Sequence, residues 1–102
     1  MNGTDAFSAI SDPNRRFLLE EIRRSPRTVN ELAQGLTISR PAVSQHLKAL
    51  RDSGLVTVRT DGNKRVYSIN SGGFVGLNIW LDQFWSGGEQ ILYVASRSYS
   101  ND

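Results

Sequence analysis

Residues 28–70 read TVNELAQGLTISRPAVSQHLKALRDSGLVTVRTDGNKRVYSIN. Thr28-Val29-Asn30-Glu31 has the form of a capping box: the threonine oxygen accepts the glutamate amide and the glutamate side chain reaches back. The helix it opens is short, with Leu32, Ala33 and Leu36 inward, and Gly35 is placed to end it. Ser39 caps a second helix, Pro41 is tolerated in its first turn, and Gly54 stops that helix after Ser53. Residues 55–60 and 65–70 are rich in β-branched side chains and partly alternate. Asp61-Gly62-Asn63-Lys64 between them is turn chemistry, so the two runs predict a hairpin. Two helices joined by a tight turn, then a hairpin with a basic tip, make a winged helix-turn-helix. Its common use is to place the second helix in the major groove of DNA.

The phase of that second helix sorts its residues. At about 100° per residue, Leu47 and Leu50 fall within about 40° of Val43 and form a core seam. Pro41, Ser44, Gln45 and Lys48 fall on the opposite side and are the candidates to meet base edges. Gln45 has the amide for a bidentate contact to adenine, Ser44 can donate or accept, and Lys48 could reach guanine or a phosphate. Arg40 and Arg51 lie on the flank and read as phosphate clamps, which add affinity without sequence information. Lys64 and Arg65 at the hairpin tip would reach backbone or minor groove beside the helix; otherwise they are a solvated turn. His46, the one histidine, lies beside the apolar seam. It reads as a packed, hydrogen-bonded side chain, with a phosphate contact as the alternative, and without cysteines it makes a poor metal shell.

The rest of the chain bounds the fold. Its 102 residues fit one domain spanning 1–102, with the helix-turn-helix at about 28–53, the wing at about 55–70 and a C-terminal helix at about 72–97. The fold class is mainly α with a small β-hairpin, flanked by N- and C-terminal helices suited to dimerisation. Residues 14–65 hold 11 Lys/Arg against 5 Asp/Glu, while the segments on either side are each mildly acidic. A basic middle fits a localised polyanion-binding face. No cysteine is present, which excludes disulfides and thiolate metal sites. No apolar run approaches a membrane span and no secretion signal is visible, so the expected location is the cytoplasm, with no membrane partner.

Upstream, a first helix is expected from Thr4 to Ile10, with Ala6, Phe7 and Ile10 on one side. A second is expected from Pro13 to Arg24, opened by Asp12-Pro13 and closed by Ser25-Pro26. Downstream, six of the nine aromatics follow residue 73. On one continuous helix, Phe74, Leu77, Leu81, Phe84, Trp85, Leu92, Ala95 and Tyr99 share a face, with Val75 and Ile79 on another. A break at Gly87-Gly88 is the alternative, since glycine weakens a helix interior. Ala6, Phe7, Ile10, Leu77, Leu81, Phe84, Trp85 and Leu92 are the candidate interface of a two-fold homodimer; an intramolecular core is the other reading of the same stripe.

These residues also carry a resemblance. ISDPNRRFLLEEI resembles the "ADPTRRRIL" opening of the ArsR-type winged-helix repressors, and AVSQHLKALRDSGLV with RTDGNKRVYSI resembles their recognition helix and wing. The resemblance spans roughly residues 6 to 85. It implies a homodimeric transcription regulator, usually a repressor, that binds an inverted-repeat operator. The metal-sensing cysteines of "ELCVCDL" align with Thr28 and Asn30, and no histidine follows His46, so no metal is expected. WLDQFW looks like the metal-free subgroup, although Ser86-Gly87-Gly88 departs from that subgroup's charged continuation.

The expected function is therefore a sequence-specific, double-stranded-DNA-binding regulator, with a winged-helix protein-interaction module as the alternative. No paired catalytic carboxylates, nucleophile–base set or glycine-rich phosphate loop points to an enzyme, and no cofactor is implied. A small-molecule inducer in a pocket between the last helix and the body, near Trp80 or Trp85, stays open as a partner but is unsupported, because aromatic side chains there more often pack.

Overall fold

The computed structural model describes residues 5–85. Asp5 caps α1 (Ala6–Ala9) by accepting the Ser8 amide at 2.8 Å. Asp12 caps α2 (Pro13–Arg24): one carboxylate oxygen accepts the amides of Asn14 at 2.8 Å and Arg15 at 3.2 Å, and proline takes the first helical position. Burial of the Asp12 carboxyl works against its ionisation. The two amide bonds, with smaller help from the neighbouring His46 and Arg15, outweigh that and hold its pKa below the ordinary value.

The capping box forms as the sequence predicts and opens α3 (Val29–Ala33). Thr28 Oγ1 accepts the Glu31 amide at 3.2 Å, and Glu31 accepts the Thr28 amide at 2.8 Å. Gly35 does not end this helix through left-handed backbone; its neighbour Gln34 closes it in right-handed conformation, and Gly35 instead lies under the Phe17 ring. Ser39 caps α4 (Arg40–Asp52) by accepting the Ala42 amide at 3.2 Å. The other end of α4 is a Schellman closure. Gly54 sits at φ 83°, its amide bonds Arg51 O, and the Leu55 amide bonds Leu50 O, both at 3.0 Å. Leu50 and Leu55 are both sealed from solvent, the apolar contact this motif favours.

The wing is β2 (Val56–Asp61) and β3 (Lys64–Ile69), antiparallel from Val56↔Ile69 to Asp61↔Lys64. Gly62 alone of the two turn residues has positive φ, 67°, the pattern of a type II′ turn. The sheet departs from the two-stranded expectation. A two-residue strand, β1 (Arg27–Thr28), pairs with β3 as Arg27↔Tyr67 and Thr28↔Val66, giving the order β1-β3-β2. The wing's inner strand is thus covered on both edges and anchored to the start of α3.

The core joins Leu18 and Ile22 of α2, Leu32 of α3, and Val43, Leu47 and Leu50 of α4 to Leu55, Val56, Tyr67 and Leu77. After the wing a 3-10 turn (Ser71–Phe74) leads into α5 (Val75–Asp82), and a second 3-10 turn covers Gln83–Trp85. The expected helix is therefore shorter at its start, and its continuation past residue 85, with Gly87-Gly88, Leu92, Ala95 and Tyr99, lies outside the described residues.

The surface of the terminal helices differs from the expected stripe. Leu77 is buried against the subunit's own core, and Ala6 and Ile10 are partly buried against it, so these three serve the monomer. Leu81, one turn after Leu77, and Phe84 in the 3-10 turn beyond are exposed. Val75 and Ile79, expected on a separate face, are exposed with them. Phe7 packs edge-on to Trp80 at 5.2 Å and Trp80 edge-on to Phe84 at 4.7 Å, so α1 and α5 present one aromatic surface. Trp85 is half-buried.

Candidate nucleic-acid interface

α4 has two sides with opposite exposure. Val43, Leu47 and Leu50 are each 0% exposed, while Arg40, Pro41, Ser44, Gln45 and Lys48 are all exposed. The helix is held by its aliphatic edge and turns its polar face to solvent. Arg51, in the last turn, is half-buried on the flank.

Two clefts flank this face. The first, of about 360 Å³, brings Arg40 at the start of α4 together with Lys64 and Arg65 of the wing tip and with Thr28, Asn30 and Glu31 at the start of α3. The Arg40 guanidinium donates through Nε to Asn30 Oδ1 at 2.8 Å, which fixes its direction. The one carboxylate in this cleft, Glu31, is occupied by the capping box. The Thr28 backbone and side-chain hydrogen bonds lower its pKa, against a desolvation that raises it, with smaller help from Arg27 and Lys64. Arg40, Lys64 and Arg65 thus line one cleft together with a single ionised carboxylate, Glu31, whose oxygen is engaged by the capping box.

The second cleft, of about 280 Å³, lies along the other part of α4 between Gln45, Lys48, Asp52 and the residues Arg15 and His46. Lys48 Nζ donates to Asp52 Oδ2 at 2.7 Å, one turn along the same helix. That bond, opposed by desolvation and aided by the charges of Lys48 and Arg51, keeps the Asp52 carboxyl below its ordinary range. His46 is half-buried and accepts from Arg15 Nε at 3.0 Å, so its packed, hydrogen-bonded placement agrees with the sequence reading.

Seven of the eight candidate contact residues line these clefts or the open face of α4, and Arg51 is half-buried in its last turn. Arg40, Lys64 and Arg65 converge on one cleft, Gln45 and Lys48 border the other, and Pro41 and Ser44 lie on the open face of α4. Sequence reasoning missed Asn30, Arg15 and Asp52. Only Asp52 had a local signal, its i,i+4 spacing from Lys48.

Comparison with known proteins agrees with this architecture. Residues 12–58, which hold α2, the helix-turn-helix and the start of the wing, match the model of the bacterial regulatory protein, arsR family. The HTH-type transcriptional regulator Rv2034 of Mycobacterium tuberculosis is 44% identical over 81 residues, covering 79% of this chain and 76% of that protein. The chain belongs to the ArsR family. The transcriptional repressor SdpR of Bacillus subtilis, 30% identical over 88 residues, covers 86% of this chain and 98% of its own. An ArsR-like transcriptional regulator from Rhodococcus sp. RHA1 superposes with a TM-score of 0.72 at 26% identity, over 94% of this chain and 88% of that one.

This ArsR-family protein is a DNA-binding transcription regulator with a winged helix-turn-helix, in a family of regulators rather than enzymes. It has no cysteine. Among the described residues no group of three or more His, Asp or Glu side chains could hold a metal ion, and no helix is long and apolar enough to cross a membrane.

Proposed function

We propose that the protein is a homodimeric repressor that binds an inverted-repeat operator, inserting α4 of each subunit into the major groove. The opposite exposure of the two sides of α4 carries this reading: the residue types able to read base edges stand on the open side of a helix whose other edge is locked in the core. Ser44, Gln45 and Lys48 would read bases, while Arg40, Arg51, Lys64 and Arg65 would hold phosphates. A two-fold axis would set the two recognition helices roughly 34–36 Å apart, or a multiple of that, matching half-sites one turn apart. The aromatic surface of α1 and α5 supports self-association, because Phe7, Ile79, Trp80 and Phe84 together expose an apolar area that a small monomer gains by covering. SdpR, 30% identical, is named a transcriptional repressor, which supports the sign: bound at a promoter, the dimer would exclude polymerase.

Selection of duplexes from a random pool, followed by gel shift, tests the reading. A palindromic consensus bound far more tightly than a scrambled duplex is expected. The triple substitution S44A/Q45A/K48A should remove that preference and leave the sedimentation coefficient unchanged. Equal affinity for every duplex would defeat sequence-specific control, and retained preference in the triple variant would show that α4 does not read the bases.

A further inference from the structure

Arg15 and His46 meet across two helices and have no part in the residues assigned above to DNA. Arg15 rises from the first turn of α2 and donates Nε–H to His46 Nδ1 at 3.0 Å. That bond occupies one of five guanidinium donors and leaves the terminal nitrogens, the fork suited to a paired-oxygen anion. It also assigns the imidazole tautomer: Nδ1 accepts, so the ring proton of the neutral histidine sits on Nε2, which becomes a second donor. Two carboxylates stand nearby and both keep their negative charge, but neither accepts a side-chain hydrogen bond from Arg15 or His46. Asp12 accepts the amides of Asn14 and Arg15, and Asp52 accepts Lys48 Nζ. The pair lines a cleft of about 280 Å³ whose other wall is Gln45 and Lys48 of the open face.

We infer that Arg15 and His46 form a clamp for one phosphodiester of the DNA backbone on the flank of the recognition helix. The inference rests on α4 entering the major groove, as proposed above. Groove dimensions favour a phosphate over a base. A helix with its side chains is about 10–12 Å across and the major groove about 12 Å wide, so a seated helix has base edges beneath it and sugar-phosphate walls at its sides. His46, half-buried beside the aliphatic edge, stands away from the bases and toward a wall. Arg15 extends that wall contact onto α2 and ties α2 to the orientation of α4.

A pair of backbone and side-chain changes tests this against a merely structural link between α2 and α4. The probe is the consensus duplex selected by the wild-type protein, synthesised with a single neutral methylphosphonate at each backbone position in turn. The protein variant is Arg15→Gln, which keeps a donor for His46 Nδ1 and drops the charge; Arg15→Ala is measured beside it. In the wild type, neutralising one particular phosphate per half-site is expected to weaken binding roughly tenfold, the scale of a charged hydrogen bond. Arg15→Gln should bind the unmodified duplex roughly tenfold more weakly, should show no further loss at that one phosphate, and should keep the wild-type penalty elsewhere. Its plot of log K against log salt should become shallower by about 0.9 for each phosphate that the variant leaves unneutralised. His46→Gln, able to accept from Arg15 and donate outward, should retain most of the affinity that His46→Ala loses. Wild-type affinity and salt slope in Arg15→Gln would overturn the clamp. So would weaker binding with every methylphosphonate penalty unchanged, which would leave the pair a structural link only. Failure of the wild type to bind any selected duplex would instead bring down the DNA-reading proposal, and the clamp with it, before any variant is compared.

Discussion

Lys48 lies on the exposed side of α4 with its Nζ 2.7 Å from Asp52, so the surface proposed to meet DNA carries an acid as well as cations. On that proposal the acid would repel the DNA backbone, and its bond holds Lys48 in one direction. Asp52→Asn should raise affinity for the selected operator and for scrambled duplex alike, by roughly 1.5- to 5-fold at low salt on the scale of exposed charge interactions, with a lower ratio between the two. Gel shift at two salt concentrations checks both quantities. Because Lys48 holds the Asp52 carboxyl below its ordinary range, the carboxylate stays ionised throughout pH 6–8, and the gain on substitution should be the same at both limits. The sign for stability agrees: a depressed carboxyl pKa contributes above the unfolded value of about 3.9 and is lost only as pH falls through the folded value. At this scale the sequence was legible where helix phase decided exposure, as with Ser44, Gln45 and Lys48 opposite Val43, Leu47 and Leu50. It was not legible where partners stand on different helices. Arg40 and Asn30 are 10 residues apart and Arg15 and His46 are 31 apart, and no local period encodes those meetings.

Element boundaries followed their chemistry closely, since a cap is a short-range hydrogen bond. Thr28 joins two elements at once, as the cap of α3 and as a member of β1 opposite Val66. Thr28→Ala should cost about 1 kcal/mol through loss of the cap, and Thr28→Ser should recover most of it, read from denaturant midpoints at constant m. β1 itself escaped the sequence reading because two residues have no period of their own; their strand geometry comes from Tyr67 and Val66 across the ladder. The crossing at Gly73 was hidden for the same reason. Asn70 donates its side-chain amide to Gly54 O at 2.8 Å and its backbone amide to Leu55 O at 3.0 Å, which draws the start of the C-terminal segment onto the end of α4. A Cβ on Gly73 would collide with the Gly54 carbonyl, a backbone atom that cannot swing aside. Gly73→Ala should therefore destabilise by about 1–3 kcal/mol, the range for overpacking. At about 4–8 °C per kcal/mol for a domain of this size, a thermal melt resolves it.

At the scale of the molecule, an apolar stripe in a sequence does not say whether its owner or a partner will cover it. Leu77 went to the subunit's own core while Leu81 and Phe84, on the same stripe, and Val75 and Ile79, off it, were left in solvent. Helix phase alone does not separate Leu77 from Leu81; only the packed structure does. The exposed set makes a sharp test of the proposed dimer. Ile79 is 62% exposed in the isolated subunit, so a charge there costs the monomer little, whereas burial of an unpaired carboxylate between two subunits is strongly unfavourable. Ile79→Glu should sediment as a monomer at micromolar concentration while its melting temperature becomes independent of protein concentration. Its affinity for a single half-site should match that of the wild-type subunit, because α4 is untouched. Its affinity for the full inverted repeat should fall by a factor of roughly 10² or more, since two half-sites are no longer held by one linked body. A variant that remains dimeric and binds the full operator normally would place the two-fold contact elsewhere than on Ile79 and its aromatic neighbours.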